Sequence, residues 1–251
     1  MEELILKRLR ELALRAAHTG QTQFTRFLEP SALDEARRVA GACGVGFETF
    51  GGYPDAERVM AACFDGDAPS SEEYPLRGLR ITWNEKFAHP AHRDLMGAVM
   101  GLGLEREAIG DVALGVHRGG PCAWVFAIPE VADYIAANLD SAGRATVRAE
   151  VTDDAPEIAP PEGEALRVTV QTARLDAVVA AGYRLSRSEA QKLVSAGLVK
   201  LNHAPDLHGD AHVGAGDLIS VRGHGRLKVV EALGESRRGR LVLSLFRYGK
   251  P

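Results

Sequence analysis

Hydrophobic positions along this chain change period several times, and each change marks an element. Over residues 1–17, apolar positions including Leu4, Leu9 and Leu12 recur at helical spacing among charged ones, and Thr19-Gly20 ends the run. This predicts an amphipathic helix. Ser31 placed before residues 32–40, with Asp34 at the third position, predicts a second helix that Gly41 and Gly44 stop. Residues 45–50 read as a strand, Gly51-Gly52 as a turn, and Pro54 through Arg58 as the start of a third helix. The polar run from Asp65 to Glu73 reads as a linker.

The middle of the chain has a clearer order. Leu79, Ile81 and Trp83 alternate as a strand, residues 91–102 carry a helical stripe, and Val112, Leu114 and Val116 alternate again. Gly119-Gly120 turns the chain into a strand over 123–127, Pro129-Glu130 opens a helix running to Leu139, and Val147, Ala149 and Val151 form a last strand. The order β-α-β-β-α-β is that of the ferredoxin-like plait used by RNA-recognition modules. Trp124 and Phe126 share one face of its third strand, so they are candidates for base stacking, with core packing as the other reading. His92-Arg93-Asp94 reads as a helix start, with Arg106, Glu107 and Asp111 as structural partners for Arg93 and Asp94.

The acidic, proline-rich stretch 152–165 reads as a second linker, followed by a short strand over 167–171. Two short helical patterns then meet at a turn. Leu175, Val178 and Val179 stripe the first, which Gly182-Tyr183 closes. The second opens on Ser186-Arg187-Ser188-Glu189, a capping box, and ends at Gly197. In residues 198–202, alternation puts Val199 and Leu201 on one face and Lys200 and Asn202 on the other. A helix pair packed on this strand is expected to gather Arg174, Arg187, Gln191, Lys192, Lys200 and Asn202 near one edge, a set of forks and amides suited to phosphate and ribose oxygens. After the turn at 214–217, a strand over 218–222 turns Arg222 outward, and Arg226 and Lys228 continue the basic edge. A hairpin through Arg237-Arg238-Gly239 leads to a closing strand over 241–246, with Arg237, Arg238 and Arg240 as further phosphate candidates.

Charge sharpens this division. The net charge of the 251 residues is only -4, yet residues 166–251 carry 14 Lys and Arg against 7 Asp and Glu, while residues 1–165 carry 16 against 27. The last third is the electrostatic footprint of a nucleic-acid binder, and the acidic remainder limits indiscriminate binding. Cys43, Cys63 and Cys122 are odd in number and widely spaced, which favours a reducing compartment over a disulfide framework or zinc ribbon. No run approaches a membrane span, and charges interrupt the N-terminal helix where a signal peptide is apolar. A cytoplasmic protein with no membrane partner is expected.

The R-L-D, S-R-x-x-A and G-x-V-x-x-N elements of residues 174–202 resemble the S-four RNA-binding domain, named after a small-subunit ribosomal protein. Taken with the basic edge above, the candidate RNA contacts are Arg174, Arg184, Ser186, Arg187, Gln191, Lys192, Lys200, Asn202, Arg222, Arg226 and Lys228. Further stretches extend the likeness: Phe50-Gly51-Gly52-Tyr53 with Ala56-Glu57-Arg58, His92-Arg93-Asp94, residues 102–111, and residues 220–226. With these, nearly the whole chain is similar to the YlmH-type ribosome-associated proteins. The resemblance implies an α+β protein of three domains: a small N-terminal α/β domain (1–72), a ferredoxin-like, RRM-like domain (76–152) and an S-four RNA-binding domain (166–248). It implies a non-enzymatic role on the large ribosomal subunit, contacting ribosomal RNA and peptidyl-tRNA in ribosome-associated quality control of stalled translation, and a link to cell division.

Other classes fit less well. An RNA-tethered adaptor linked to cell division would dock a partner protein on the acidic N-terminal half and use the basic third only as a tether. An RNA-modifying enzyme would need a larger catalytic domain or a glycine-rich nucleotide loop, and Arg106 stands where the third glycine of G-x-G-x-x-G would fall. His92-Arg93-Asp94 lacks the other parts of a kinase. The pairs His89/His92 and His208/His212 have no further ligands to complete a metal site, so neither metal nor cofactor is expected.

Overall fold

The computed structural model describes residues 2–236 and 239–249, with side chains from residue 5 onward. The chain divides into two compact units, Met1–Ala159 and Pro160–Pro251.

The first unit begins with helix α1 (Glu2–Thr19), strand β1 (Gln23–Leu28), helix α2 (Leu33–Ala42), and strands β2 (Gly46–Phe50) and β3 (Val59–Phe64). Ser31 lies inside a 3-10 turn that precedes α2 and caps nothing. The strands pair antiparallel in the order β1-β3-β2. All six residues of β3 are buried because both faces of this small sheet are covered. Ala61 and Cys63 pack under α1 and α2 against Leu9, Ala13 and Ala36, while Met60, Ala62 and Phe64 turn to the opposite face.

That opposite face meets a second sheet. Strands β4 (Arg77–Trp83), β5 (Ile109–His117), β6 (Gly120–Ala127) and β8 (Ala145–Thr152) alternate with helices α3 (His92–Gly101) and α4 (Pro129–Asn138), and two-residue strands β7 (Ser141–Ala142) and β9 (Glu157–Ile158) extend the edges. The order β7-β8-β4-β6-β5-β9 contains the expected plait. Leu95, Val99, Ala132 and Ile135 of the helices pack on Leu79, Ile81 and Val125 of one face. The other face presents Cys122, Trp124 and Phe126 to Phe27, Met60 and Phe64 of the three-stranded sheet. Trp124 and Phe126 are 1% and 2% exposed, so they are core and not a base-stacking platform. Gly52 shows how close the approach is: at φ 99°, a Cβ there would sit 2.1 Å from the Phe126 ring.

Residues 54–58 form turns, not the expected helix. One carboxylate holds them: Asp111 accepts from the Tyr53 hydroxyl at 2.9 Å and from the backbone N–H groups of Glu57 and Arg58 at 2.7 and 3.2 Å. Burial, with Asp111 beside it, raises the Tyr53 pKa. Arg58 is itself buried, donating to the carbonyls of Ile109 and Arg106 and to Glu29. The expected pairing of Arg106, Glu107 and Asp111 with Arg93 and Asp94 is therefore replaced. Asp111 serves this turn, Arg106 donates to the carbonyls of Ile109 and Gly110, Glu107 meets Arg8, and Asp94 accepts the Ala91 N–H that precedes α3.

The first linker ends in a 3-10 turn with a capping box at Ser70 and Glu73, and Tyr74 is buried between Phe24 and Phe50. The second is shorter than its composition suggests: Glu157–Ile158 pairs with β5, and β10 starts at Gly163. A proline-flanked segment is tolerated there because an edge strand does not need every ladder hydrogen bond.

The second unit contains β10 (Gly163–Val170), helices α5 (Leu175–Tyr183) and α6 (Arg187–Ser195), and strands β11 (Val199–Leu201), β12 (Ala204–Pro205), β13 (Leu218–Val221), β14 (Gly225–Glu235) and β15 (Leu241–Tyr248). Its antiparallel sheet runs β10-β15-β14-β13-β11-β12. Val178, Val179, Ala190 and Val194 of the helices share one core with Val199, Ile219, Leu227 and Leu245 of the strands. Both helices thus cover one face of the sheet.

Candidate nucleic-acid interface

Helix α5 is apolar nearly all round and almost wholly buried, as expected of a helix pressed between a sheet and a second helix. Asp176 breaks that pattern. Its side chain is 5% exposed, yet it lies in the first turn, where the helix dipole favours an anion. Its backbone N–H donates to the Gly209 carbonyl at 3.0 Å. The carboxylate accepts from Arg174 Nε and Nη2, both at 3.3 Å, and from Arg187 Nη2 at 3.0 Å. One buried anion therefore ties together the residue before α5 and the first residue of α6.

The two arginine side chains remain 42% and 54% exposed. A guanidinium has five N–H donors, so each keeps donors for an incoming phosphate after bonding the carboxylate. The bond to Asp176 also raises the Arg174 pKa, fixing its charge. Burying a lone carboxylate is costly; here charge-assisted hydrogen bonds from two sides offset that cost, and the result is a pre-oriented cationic pair. Gln191 and Lys192 extend it along the exposed side of α6. Arg184 closes α5 in the left-handed conformation at φ 56°, with its N–H on the Ala180 carbonyl and its side chain exposed.

Ser186 has a different job. Its hydroxyl accepts the Glu189 N–H at 3.2 Å and donates to the Glu189 carboxylate at 2.7 Å, so it is used in capping α6. The Ser186 backbone N–H and hydroxyl hold the Glu189 pKa below its ordinary value. With the folded value lower than the unfolded one of about 4.3, this cap contributes fully above the unfolded value and fades as pH falls through the folded one. The thermal midpoint of the parent should therefore exceed that of Glu189→Gln at neutral pH, and the gap should close in acid, as read by circular dichroism. A gap independent of pH would remove the carboxylate from the account.

The strand residues fall elsewhere. Lys200 pairs with Ser220, and Ser220 with Arg226; Leu218 pairs with Lys228, and Lys228 with Phe246. Because Val199, Ile219 and Leu227 face the helices, strand alternation turns Lys200, Arg226 and Lys228 to the opposite, open face of the sheet. The cations thus form two groups on two sides, in place of the single edge expected from sequence. Asn202 belongs to neither. At φ 47°, beside His203 at φ 71°, it makes the tight turn from β11 to β12. Its side chain donates to Asp217 at 2.8 Å and accepts the Leu218 N–H at 2.9 Å. Arg222 is exposed just after β13, with its N–H on the Leu198 carbonyl. Arg240 is exposed, and Arg237 and Arg238 lie outside the described residues.

The sequence singles out both arginines as cations and contains Asp176 in the R-L-D element, but it does not show that Asp176 positions them. The available signal was its being the one charged residue in Leu175–Tyr183. Among the described residues no group of His, Cys, Asp and Glu is arranged to hold a metal ion, and no helix is long and apolar enough to cross a membrane.

Comparison with known proteins adds to this geometry. Residues 69–155 match the family model described as a putative RNA-binding domain in YlmH, and residues 173–219 match the S4 domain, the S-four fold. The chain is 34% identical over 218 residues to ribosome-associated protein quality control protein P2 of Bacillus subtilis (strain 168), spanning 86% of this chain and 83% of that one. A solved structure of cell division protein ylmH from Streptococcus pneumoniae is 19% identical and covers 60% of this chain and 90% of its own, with a TM-score of 0.48.

Proposed function

Since the chain belongs to the YlmH-like family with a C-terminal S-four domain, we propose that it is a non-enzymatic RNA-binding protein that joins the large ribosomal subunit in quality control of stalled translation. The observation that carries this reading is the Arg174–Asp176–Arg187 cluster, two partly exposed arginine side chains held by one buried carboxylate. The helix-borne group, Arg174, Arg184, Arg187, Gln191 and Lys192, contacts the phosphates of ribosomal RNA. The group on the other face, Lys200, Arg226 and Lys228, with Arg222 at the strand end, faces a second RNA such as peptidyl-tRNA. Support for two RNA surfaces comes from their placement on opposite faces of the sheet.

We read three modules in the chain, 1–72, 76–152 and 166–248. Their support is that the two sheets of the first unit share no strand, and that the two family models match separate stretches.

Sedimentation with purified ribosomal subunits tests the reading. The full chain should pellet with large subunits in preference to small ones, and more tightly when the large subunit carries peptidyl-tRNA. Equal pelleting with both subunits, or with neither, would reject it.

A further inference from the structure

The first unit contains a second surface suited to RNA. Its plait cannot bind a strand in the manner of RNA-recognition modules, because Trp124 and Phe126 are buried under the three-stranded sheet, and the opposite face is covered by α3 and α4. Neither face of the sheet is open to a strand, which leaves the loops, edges and outer helix surfaces of the plait. There, Phe87 is 85% exposed, the most exposed large apolar side chain among the described residues.

Phe87 is presented, not loosely tethered. The Asn84 side chain accepts the Lys86 N–H at 3.1 Å, and the Asn84 carbonyl accepts the N–H groups of Phe87 and Ala88 at 3.0 and 3.2 Å. Pro90, buried at the base, ends the loop before α3. Facing it is the β7–β8 hairpin, whose Gly143 comes so close to Asp94 that a Cβ would lie 3.2 Å from its carboxyl carbon. Between loop and hairpin lies an open, mainly polar cleft of about 550 Å³ lined by Phe87, His89, Arg93, Asp94 and Arg144.

The charges of the cleft suit a phosphate. The Arg93 side chain is 89% exposed, with Asp94 3.7 Å from its Nε, and Arg144 sits exposed at the hairpin tip. Asp94, the lining carboxylate, is engaged with the Ala91 N–H at 3.0 Å. Two exposed forks and an exposed ring thus meet in a concave site on the acidic part of the chain. We propose that this cleft binds a nucleotide of single-stranded RNA, with the base stacked on Phe87 and the flanking phosphates on Arg93 and Arg144. The inference rests on the chain being an RNA-binding protein and adds a site separate from the C-terminal cations.

The test uses the full chain and a short single-stranded RNA carrying 5-iodouridine, in the parent and in the Arg174→Ala/Arg187→Ala chain. After irradiation, mass spectrometry should find an adduct on Phe87 in both. In the double-variant background, Phe87→Ala should weaken binding about tenfold, as loss of one base stack does, and Phe87→Trp should restore it. Arg93→Ala and Arg144→Ala should each lower the slope of log affinity against log salt by about 0.7. Thermal melts should be unchanged, since these side chains are exposed. Adducts confined to residues 160–251, or unaltered affinity in Phe87→Ala, would overturn the proposal. So would RNA affinity that survives Phe87→Ala while ribosome association is lost, which would make the loop a protein-docking element. Complete loss of binding in the double variant would overturn this site and leave the C-terminal reading standing. Full parental affinity there, with the Phe87 adduct, would do the reverse.

Discussion

Replacing Arg174 and Arg187 together by alanine is expected to lower the affinity of the full chain for ribosomal RNA on the order of tenfold per arginine, as losing a charge-assisted hydrogen bond does. The salt dependence should change as well. Each phosphate neutralised contributes about 0.7 to 0.9 to the slope of log affinity against log salt, so the double variant should be shallower by about 1.4 to 1.8. The double change leaves Asp176 buried without its cations, so the second unit should also lose stability. Arg174→Lys and Arg187→Lys separate the two effects: lysine supplies charge to Asp176 but no fork for bidentate phosphate recognition. Filter binding across a salt series, with a thermal melt of each variant, reads both. Unchanged affinity and slope in the alanine variant would remove the helix pair from the interface.

The second large effect concerns the plait. Trp124→Ala should destabilise the first unit by about 3–5 kcal/mol, because the ring fills the space between two sheets together with Phe27, Met60 and Phe126. Against a typical total of about 5–15 kcal/mol this is a large fraction. A urea titration followed by circular dichroism measures it. RNA affinity of the fraction still folded should equal that of the parent. A small stability loss with strongly reduced RNA affinity would return Trp124 to a stacking role.

How much of this was legible in the sequence depended on whether the signal was local. The capping box Ser186-x-x-Glu189 spans one helical turn and appears where its pattern puts it. The plait was legible because three of its strands alternate, at Leu79-x-Ile81-x-Trp83, Val112-x-Leu114-x-Val116 and Val147-x-Ala149-x-Val151, while the continuously buried β6 is marked by the Gly119-Gly120 turn before it. Strand β3, Val59–Phe64, was not, because a strand buried on both faces carries no period, and its apolar run continues equally well from a helix start. The site was legible as composition and illegible as arrangement. Arg174 and Arg187 stand out as cations, but their common partner Asp176 is defined only once α5 and α6 are packed. Likewise, Lys200 and Arg187 are close in sequence, and only the placement of both helices on one face of the sheet separates them.

The burial of strands β3 and β6 also makes the cysteines a built-in timer of structural opening. Cys63 lies under α1 and α2, Cys122 lies between the two sheets, and Cys43 is partly accessible. Burial pushes the Cys63 thiol up to about 11 and raises that of Cys122, so neither supplies much thiolate near neutral pH. A brief pulse of alkylating reagent should mark Cys43 in the closed molecule. Slower marking of Cys63 would follow release of the helices, and marking of Cys122 would follow parting of the sheets, so the order of labelling would report which layer opens first.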